Sequence, residues 1–223
     1  NYMKLILNSF FIYLFFVCAP VFGEGVVKKY EISVNGIKIG KLSWEFVINN
    51  ENYRNNIKLK SEGILSALYK FEGEYFSEGK IKNKILKPKR YTHLWKTKKQ
   101  TKKMSLIFDN NKVKSIKQTP DEKEYLRINV FSEEKTKDPL SSFLQIIMGM
   151  KSSLVIDGRR LYTMSAVSPN GANKTIIQLI NYSNLWADHK RSKFEKIVFE
   201  KNSKDFLPSK IFIYFDKRVF RLQ

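Results

Sequence analysis

Apolar residues in this chain recur at every second position, and tight-turn residues interrupt the recurrence at short intervals. Side chains two apart share one face of a strand, so this pattern commits the chain to half-buried β structure. Tyr30, Ile32 and Val34 fall on one face, with Lys29, Glu31 and Ser33 on the other. Asn35-Gly36 then supplies the positive φ angles of a two-residue hairpin. Leu42, Trp44, Phe46 and Ile48 form the next apolar face, 49–52 turns the chain, and Tyr53, Asn55, Ile57 and Leu59 return. Strands with one wet face suit an antiparallel sheet.

The alternation breaks at 63–68, which reads as a corner or helical turn, and resumes at 69–77, 80–85 and 91–96. Met104, Leu106 and Phe108 make another face, closed by Asp109-Asn110-Asn111, and 119–122 is a loop. Apolar runs at 154–156 and 161–164 flank Asp157-Gly158, a hairpin signal. Pro169-Asn170-Gly171 is the next turn; Thr175, Ile177 and Leu179 continue, followed by strands at 194–200, 208–215 and 219–222. About a dozen short strands at this spacing predict a mainly β fold, an antiparallel, strongly curved sheet closing into a barrel or half-barrel.

The main helix is expected around 138–149. Asp138 caps it, Pro139 fits its first turn and Gly149 ends it. Leu140, Phe143, Leu144, Ile147 and Met148 stand at i, i+3, i+4, i+7 and i+8, an apolar stripe that Ile146 and Met150 widen. A helix so covered is expected at the mouth of the sheet or across its concave side.

Residues 1–23 read as an export signal. Lys4 precedes an apolar core at 10–17, and small residues lead to Gly23, after which cleavage would leave Glu24 first. Met3 is the expected start. The core is short of the ~20 apolar residues that span a bilayer. An uncleaved anchor and a lipoprotein modified at Cys18 are the other readings of this segment. The remaining residues, 24–223, suit one β-rich domain. Cys18 is the only cysteine, so the exported form carries no disulfide and no cysteine metal ligand. The expected location is the periplasm of a Gram-negative bacterium.

The net charge of +20 invites a polyanion as partner, but only 8 of the 41 basic residues are arginine. Phosphate recognition favours the forked guanidinium, and an export signal argues against nucleic acid. Lys80, Lys82 and Lys84 alternate with Ile81, Asn83 and Ile85, and Lys87, Lys89 and Arg90 follow. Together they form a candidate face for anionic lipid or another anionic envelope component; protection of a sheet edge is the plainer role. Arg159 and Arg160, after the Asp157-Gly158 turn, form a candidate clamp for a carboxylate or phosphate, or simply an exposed turn flank.

Catalytic patterns are missing. The chain has two histidines, His93 and His189, and lacks a nucleophile elbow, a phosphate-binding loop and a dinucleotide fingerprint. No cofactor or metal is expected. Acids from distant strands could still converge as a glycosidase pair, which keeps a hydrolase as a minor alternative.

Several short landmarks occur in a telling order: 35–40 (Asn-Gly-Ile-Lys-Ile-Gly), Leu86-Lys87-Pro88 with Tyr91, Phe108-Asp109, Asp138-Pro139-Leu140-Ser141-Ser142, Asp157-Gly158-Arg159-Arg160, and 205–210. In this order they resemble the bacterial exported proteins grouped as domain of unknown function 3108. The resemblance implies an envelope-located, mostly antiparallel β protein with no assigned activity and supplies no catalytic residues. The expected function is non-catalytic binding of a lipid or other envelope component. The alternative is a structural or interaction protein that uses the basic strand face.

Overall fold

The computed structural model describes residues 24–63, 66–67, 70–169, 173–186 and 194–223. The export segment, half of the corner at 63–68, the Asn170-Gly171 turn and His189 lie outside the described residues.

Thirteen strands form one antiparallel sheet. They are β1 (Glu24–Val34), β2 (Ile37–Asn49), β3 (Asn52–Ser61), β4 (Phe71–Lys82), β5 (Ile85–Thr97), β6 (Thr101–Asp109) and β7 (Lys112–Thr119), then β8 (Ser152–Ile156), β9 (Arg160–Val167), β10 (Lys174–Asn184), β11 (Phe194–Glu200), β12 (Lys210–Phe215) and β13 (Arg218–Leu222). Among the described residues the one α-helix is α1 (Pro139–Ile147), between β7 and β8. The spatial order is β7-β6-β5-β4-β3-β2-β1-β13-β12-β11-β10-β9-β8. The chain meanders outward from β1, crosses back with α1, and meanders inward until β13 pairs with β1 through Ile32↔Leu222 and Val34↔Phe220.

Register shifts at Ile32/Ser33, Glu78/Gly79 and Ile107/Phe108 are among the irregularities that bend the sheet, because a bulge adds twist locally. The two edge strands, β7 and β8, do not pair, but Val113 of β7 and Ile156 of β8 enter one core cluster. The crossover straps the gap. Thr136 N–H donates to the Asn111 carbonyl at 3.0 Å and Lys137 N–H to the Leu154 carbonyl at 3.0 Å, while the Lys137 carbonyl accepts from Ile156 N–H at 2.9 Å. Further along, the β8–β9 hairpin tip lies against β6, so close that a Cβ on Gly158 would collide with the Met104 sulfur.

The helix lies on the concave side with residues from Leu140 to Ile147 all buried. Asp138 caps it, its Oδ1 accepting from Leu140 N–H and Ser141 N–H at 3.0 Å, and Gly149 follows at φ +104°. Phe143 stacks on Trp44 of β2 at 5.5 Å and meets Phe199 of β11 edge-on at 5.7 Å, so the helix ties the two halves of the sheet together. Gln145 donates to the Lys84 carbonyl and accepts from Leu86 N–H, both at 2.8 Å, anchoring the helix to the β4–β5 hairpin. The described residues contain no cysteine, so core burial and the hydrogen-bonded ladder hold this fold together.

Two strands differ from the sequence expectation. β4 runs unbroken through 78–80, where a bulge at Gly79 replaces the expected break, and the turn comes later at Asn83 and Lys84, both at positive φ. β7 goes unmarked in the sequence because a bulge opposite Phe108 and interspersed lysines blur its alternation.

Candidate binding site

Inward-facing residues of both halves leave a cavity of about 490 Å³ beside α1, partly open to solvent. That lies within the range of ligand sites for small molecules. Its wall is largely apolar, with Leu42 and Trp44 on β2, Ile211 and Ile213 on β12, Leu222 on β13 and Phe143 from the helix. A larger hollow of about 910 Å³ lies beside β4–β7, but acids and lysines intersperse its lining, as suits a wet surface groove.

Beneath the cavity a buried polar cluster fixes the helix. Asp138 Oδ2 accepts from Ser141 Oγ at 2.6 Å and from Ser77 Oγ on β4 at 2.9 Å. Ser141 Oγ has already given its proton to the carboxylate, so the Tyr53 hydroxyl donates to it, at 2.6 Å. Asn55 Oδ1 accepts from Trp44 Nε1 at 2.7 Å. Burial raises the Asp138 pKa against the pull of its four hydrogen bonds. The constellation contains serine and aspartate but no histidine, and the helix covers it.

Charge gathers at the mouth. Asp157 Oδ1 accepts from the backbone N–H groups of Arg159 and Arg160 at 2.8 Å each, shaping the hairpin. Arg160 lies 3.6 Å from Asp157 Oδ2, and its guanidinium stands over the Tyr182 ring at 5.9 Å. Burial raises the Asp157 pKa, with Arg160 and the two amides opposing. Arg159 also lines the cavity; among the described residues its guanidinium has no hydrogen bond or ion pair. The hairpin arginines are thus half-buried at the mouth of the interior and not on an exposed flank. On β5, His93 stacks on Tyr75 at 4.8 Å. Burial, with Arg159 and Lys102 nearby, pushes its pKa down to about 4, so the ring is neutral at pH 7.

The basic strand face stands elsewhere. Lys80 and Lys82 point outward from β4, Lys87 is the cross-strand partner of Lys80, and Lys89 sits at the bulge. Lys84 occupies the turn. These five lysines are exposed and, among the described residues, form no ion pair, whereas Arg90 binds Glu78 at 2.8 Å and stacks over Phe76. Lys80 lies five residues along β4 from the cavity residue Tyr75, about 17 Å at the strand rise, so the lysines and the arginine pair do not form one site.

Sequence reasoning missed the Ser77–Tyr53 side of the cluster and left open whether the sheet is hollow. Asp138 was visible as a cap, but its partners lie 61 positions away at Ser77 and, through Ser141, at Tyr53. No short-range signal marks such contacts.

The family model for "Protein of unknown function (DUF3108)" matches residues 29–170. The chain belongs to this family. The DUF3108 match runs from β1 to just beyond β9, while β10–β13, which join the second half of the sheet to β1 through β13, follow it. Among solved structures, the DUF3108 chain is similar to a crystal structure of a "beta-barrel-like protein of domain of unknown function DUF1849" from Brucella abortus. The TM-score is 0.51 at 9% identity, over 91% of this chain and 95% of that one. This likeness concerns the fold alone. No curated protein matches the chain.

Proposed function

We propose that this DUF3108 protein is a non-catalytic binding protein that holds the chain of an amphiphile inside its curved sheet, outside the cytoplasm. The carrying observation is the cavity of about 490 Å³, largely apolar along its wall and lined by Arg159, which makes no ion pair among the described residues. Apolar walls with a few convergent polar groups are the usual make-up of small-molecule sites. The alternative of a hydrolase finds less support. The buried serine–aspartate cluster lacks a histidine, and among the described residues no three metal-ligating side chains converge.

Native mass spectrometry of the purified protein tests this reading. The expected result is a protein-plus-amphiphile mass that disappears when Ile213→Trp fills the cavity. A bare protein mass that stays bare after incubation with dodecanol, dodecanoate and dodecyl phosphate in turn would reject the reading. The export half rests on residues 1–23 and is tested by fusing them to a phosphatase reporter active only beyond the inner membrane. A silent reporter removes it.

A second reading has its own observation, the unpaired lysines of the β4–β5 hairpin. They support an outer face for an anionic envelope partner. Reversing Lys80, Lys82 and Lys87 to glutamate should then strip partners from an envelope pull-down; an unchanged set of partners would discard that face.

A further inference from the structure

Resting on the amphiphile reading above, we infer that the cavity selects a single-chain amphiphile with an anionic head group, a carboxylate or phosphate, received by Arg159 at the mouth. The charges at the mouth are unequal. Arg159 and Arg160 supply positive charge there and Asp157 the negative, and Lys102 acts on nearby His93. Asp157 is already engaged by two amides and by Arg160, and Arg160 is further held over Tyr182. Arg159 feels Asp157 electrostatically but, among the described residues, makes no hydrogen bond or ion pair while it lines the cavity. A guanidinium is a planar fork of donors that matches a carboxylate or phosphate bidentately, and its bonds to an anion are charge-assisted.

The neighbouring groups are consistent with an anion at this point. His93 is neutral at pH 7 and offers one ring N–H without another charge. The hydroxyls of Tyr75, Tyr91 and Tyr162, all on the cavity wall, make no hydrogen bond among the described residues and are further neutral donors. A cationic head group would meet Arg159 with like charge, and a neutral one would leave the guanidinium unmatched. The mouth therefore discriminates by repulsion as well as attraction. The alkyl chain would run inward along Leu42, Ile213 and Leu222.

Isothermal titration calorimetry of the purified protein decides this, using dodecanoate, dodecyl phosphate, dodecanol, dodecyltrimethylammonium and inorganic phosphate, each amphiphile below its micelle threshold. The two anionic amphiphiles should bind at least about tenfold tighter than dodecanol, with no measurable binding of the cation or of inorganic phosphate. Arg159→Gln should weaken the anions about tenfold to a hundredfold and leave dodecanol unchanged, and Arg159→Lys should recover part of the loss. The tighter anion identifies the head group. Equal affinity for all four chains, or anion affinity untouched by Arg159→Gln, overturns the head-group inference while the amphiphile reading stands. Inorganic phosphate binding as tightly as dodecyl phosphate overturns it in favour of a free-anion site. Failure of every chain to bind overturns both readings.

Discussion

Removing the Asp138 carboxylate should loosen the helix inside the sheet without altering the strands' own pairing. Asp138→Ala deletes the acceptor for two backbone N–H groups, a capping loss of about 1–2 kcal/mol. It also deletes two charge-assisted bonds from Ser77 and Ser141, each worth about 1.5–3 kcal/mol. Two effects work the other way. The variant no longer desolvates a carboxylate, which relieves several kcal/mol, and Ser77 and Ser141, 2.9 Å apart, can bond each other. A net loss of about 2–4 kcal/mol is expected. Asp138→Asn keeps the amide acceptor and should lose about 1 kcal/mol at low pH. The pH dependence adds a second signature. Burial raises the folded-state pKa above the unfolded value of about 3.9, so the folded chain holds its proton longer than the unfolded chain. Stability from this group is then full below about pH 3.9 and declines as pH rises towards the folded pKa. Urea midpoints of wild type, Asp138→Ala and Asp138→Asn between pH 4 and 8 measure both effects. The wild-type advantage over Asp138→Asn should shrink with rising pH. An Asp138→Ala loss below about 0.5 kcal/mol, or an advantage that grows with pH, would refute the account of a helix held by a desolvated carboxylate.

His93, with a folded pKa of about 4 against about 6.5 unfolded, should cost the protein about 2–3 kcal/mol as pH falls from 6.5 to 4, a loss that His93→Gln abolishes. Its ring-proton NMR shift should titrate near pH 4, and a midpoint near 6.5 would contradict the burial of the ring. Phe143→Ala removes the ring between Trp44 and Phe199 and should destabilise by about 3–5 kcal/mol in urea while shifting Trp44 fluorescence. Gly79→Ala would drive a Cβ into the Lys87 carbonyl and to 2.8 Å from Pro88 Cα, prying β4 from β5 at a cost of about 3 kcal/mol. Gly149→Ala, with open space around it and only a positive φ to strain it, should cost about 1 kcal/mol in the same denaturation assay. Equal losses at the two glycines would show that close strand approach is not what Gly79 serves.

The legible parts of the fold were those written in short-range pattern. Leu42, Trp44 and Phe46 announced a strand face because a β-strand turns its side chains over every residue, whatever surrounds it. Asp138 and Pro139 announced a helix start because capping is settled within four residues. The bulged segments were not legible. At Gly79 and in β7 an extra residue shifts the alternation, and the shift is favourable only once a neighbouring strand is in place.

The sequence alone determined the class of this protein: an antiparallel β chain with one capped helix, rich in lysine, and with no cysteine after position 18. Local sterics and side-chain periodicity suffice for that. Tertiary structure decided where those parts point. It paired β13 with β1 to join the two meanders into one sheet, set α1 against both halves, and left a hollow beside the helix. The same curvature turned Arg159 from a turn residue into a lining of that hollow and drew Ser77 and Tyr53 together with Asp138 and Ser141. Those contacts join residues many positions apart. Their energies depend on how the strands close around the helix, which no local pattern encodes.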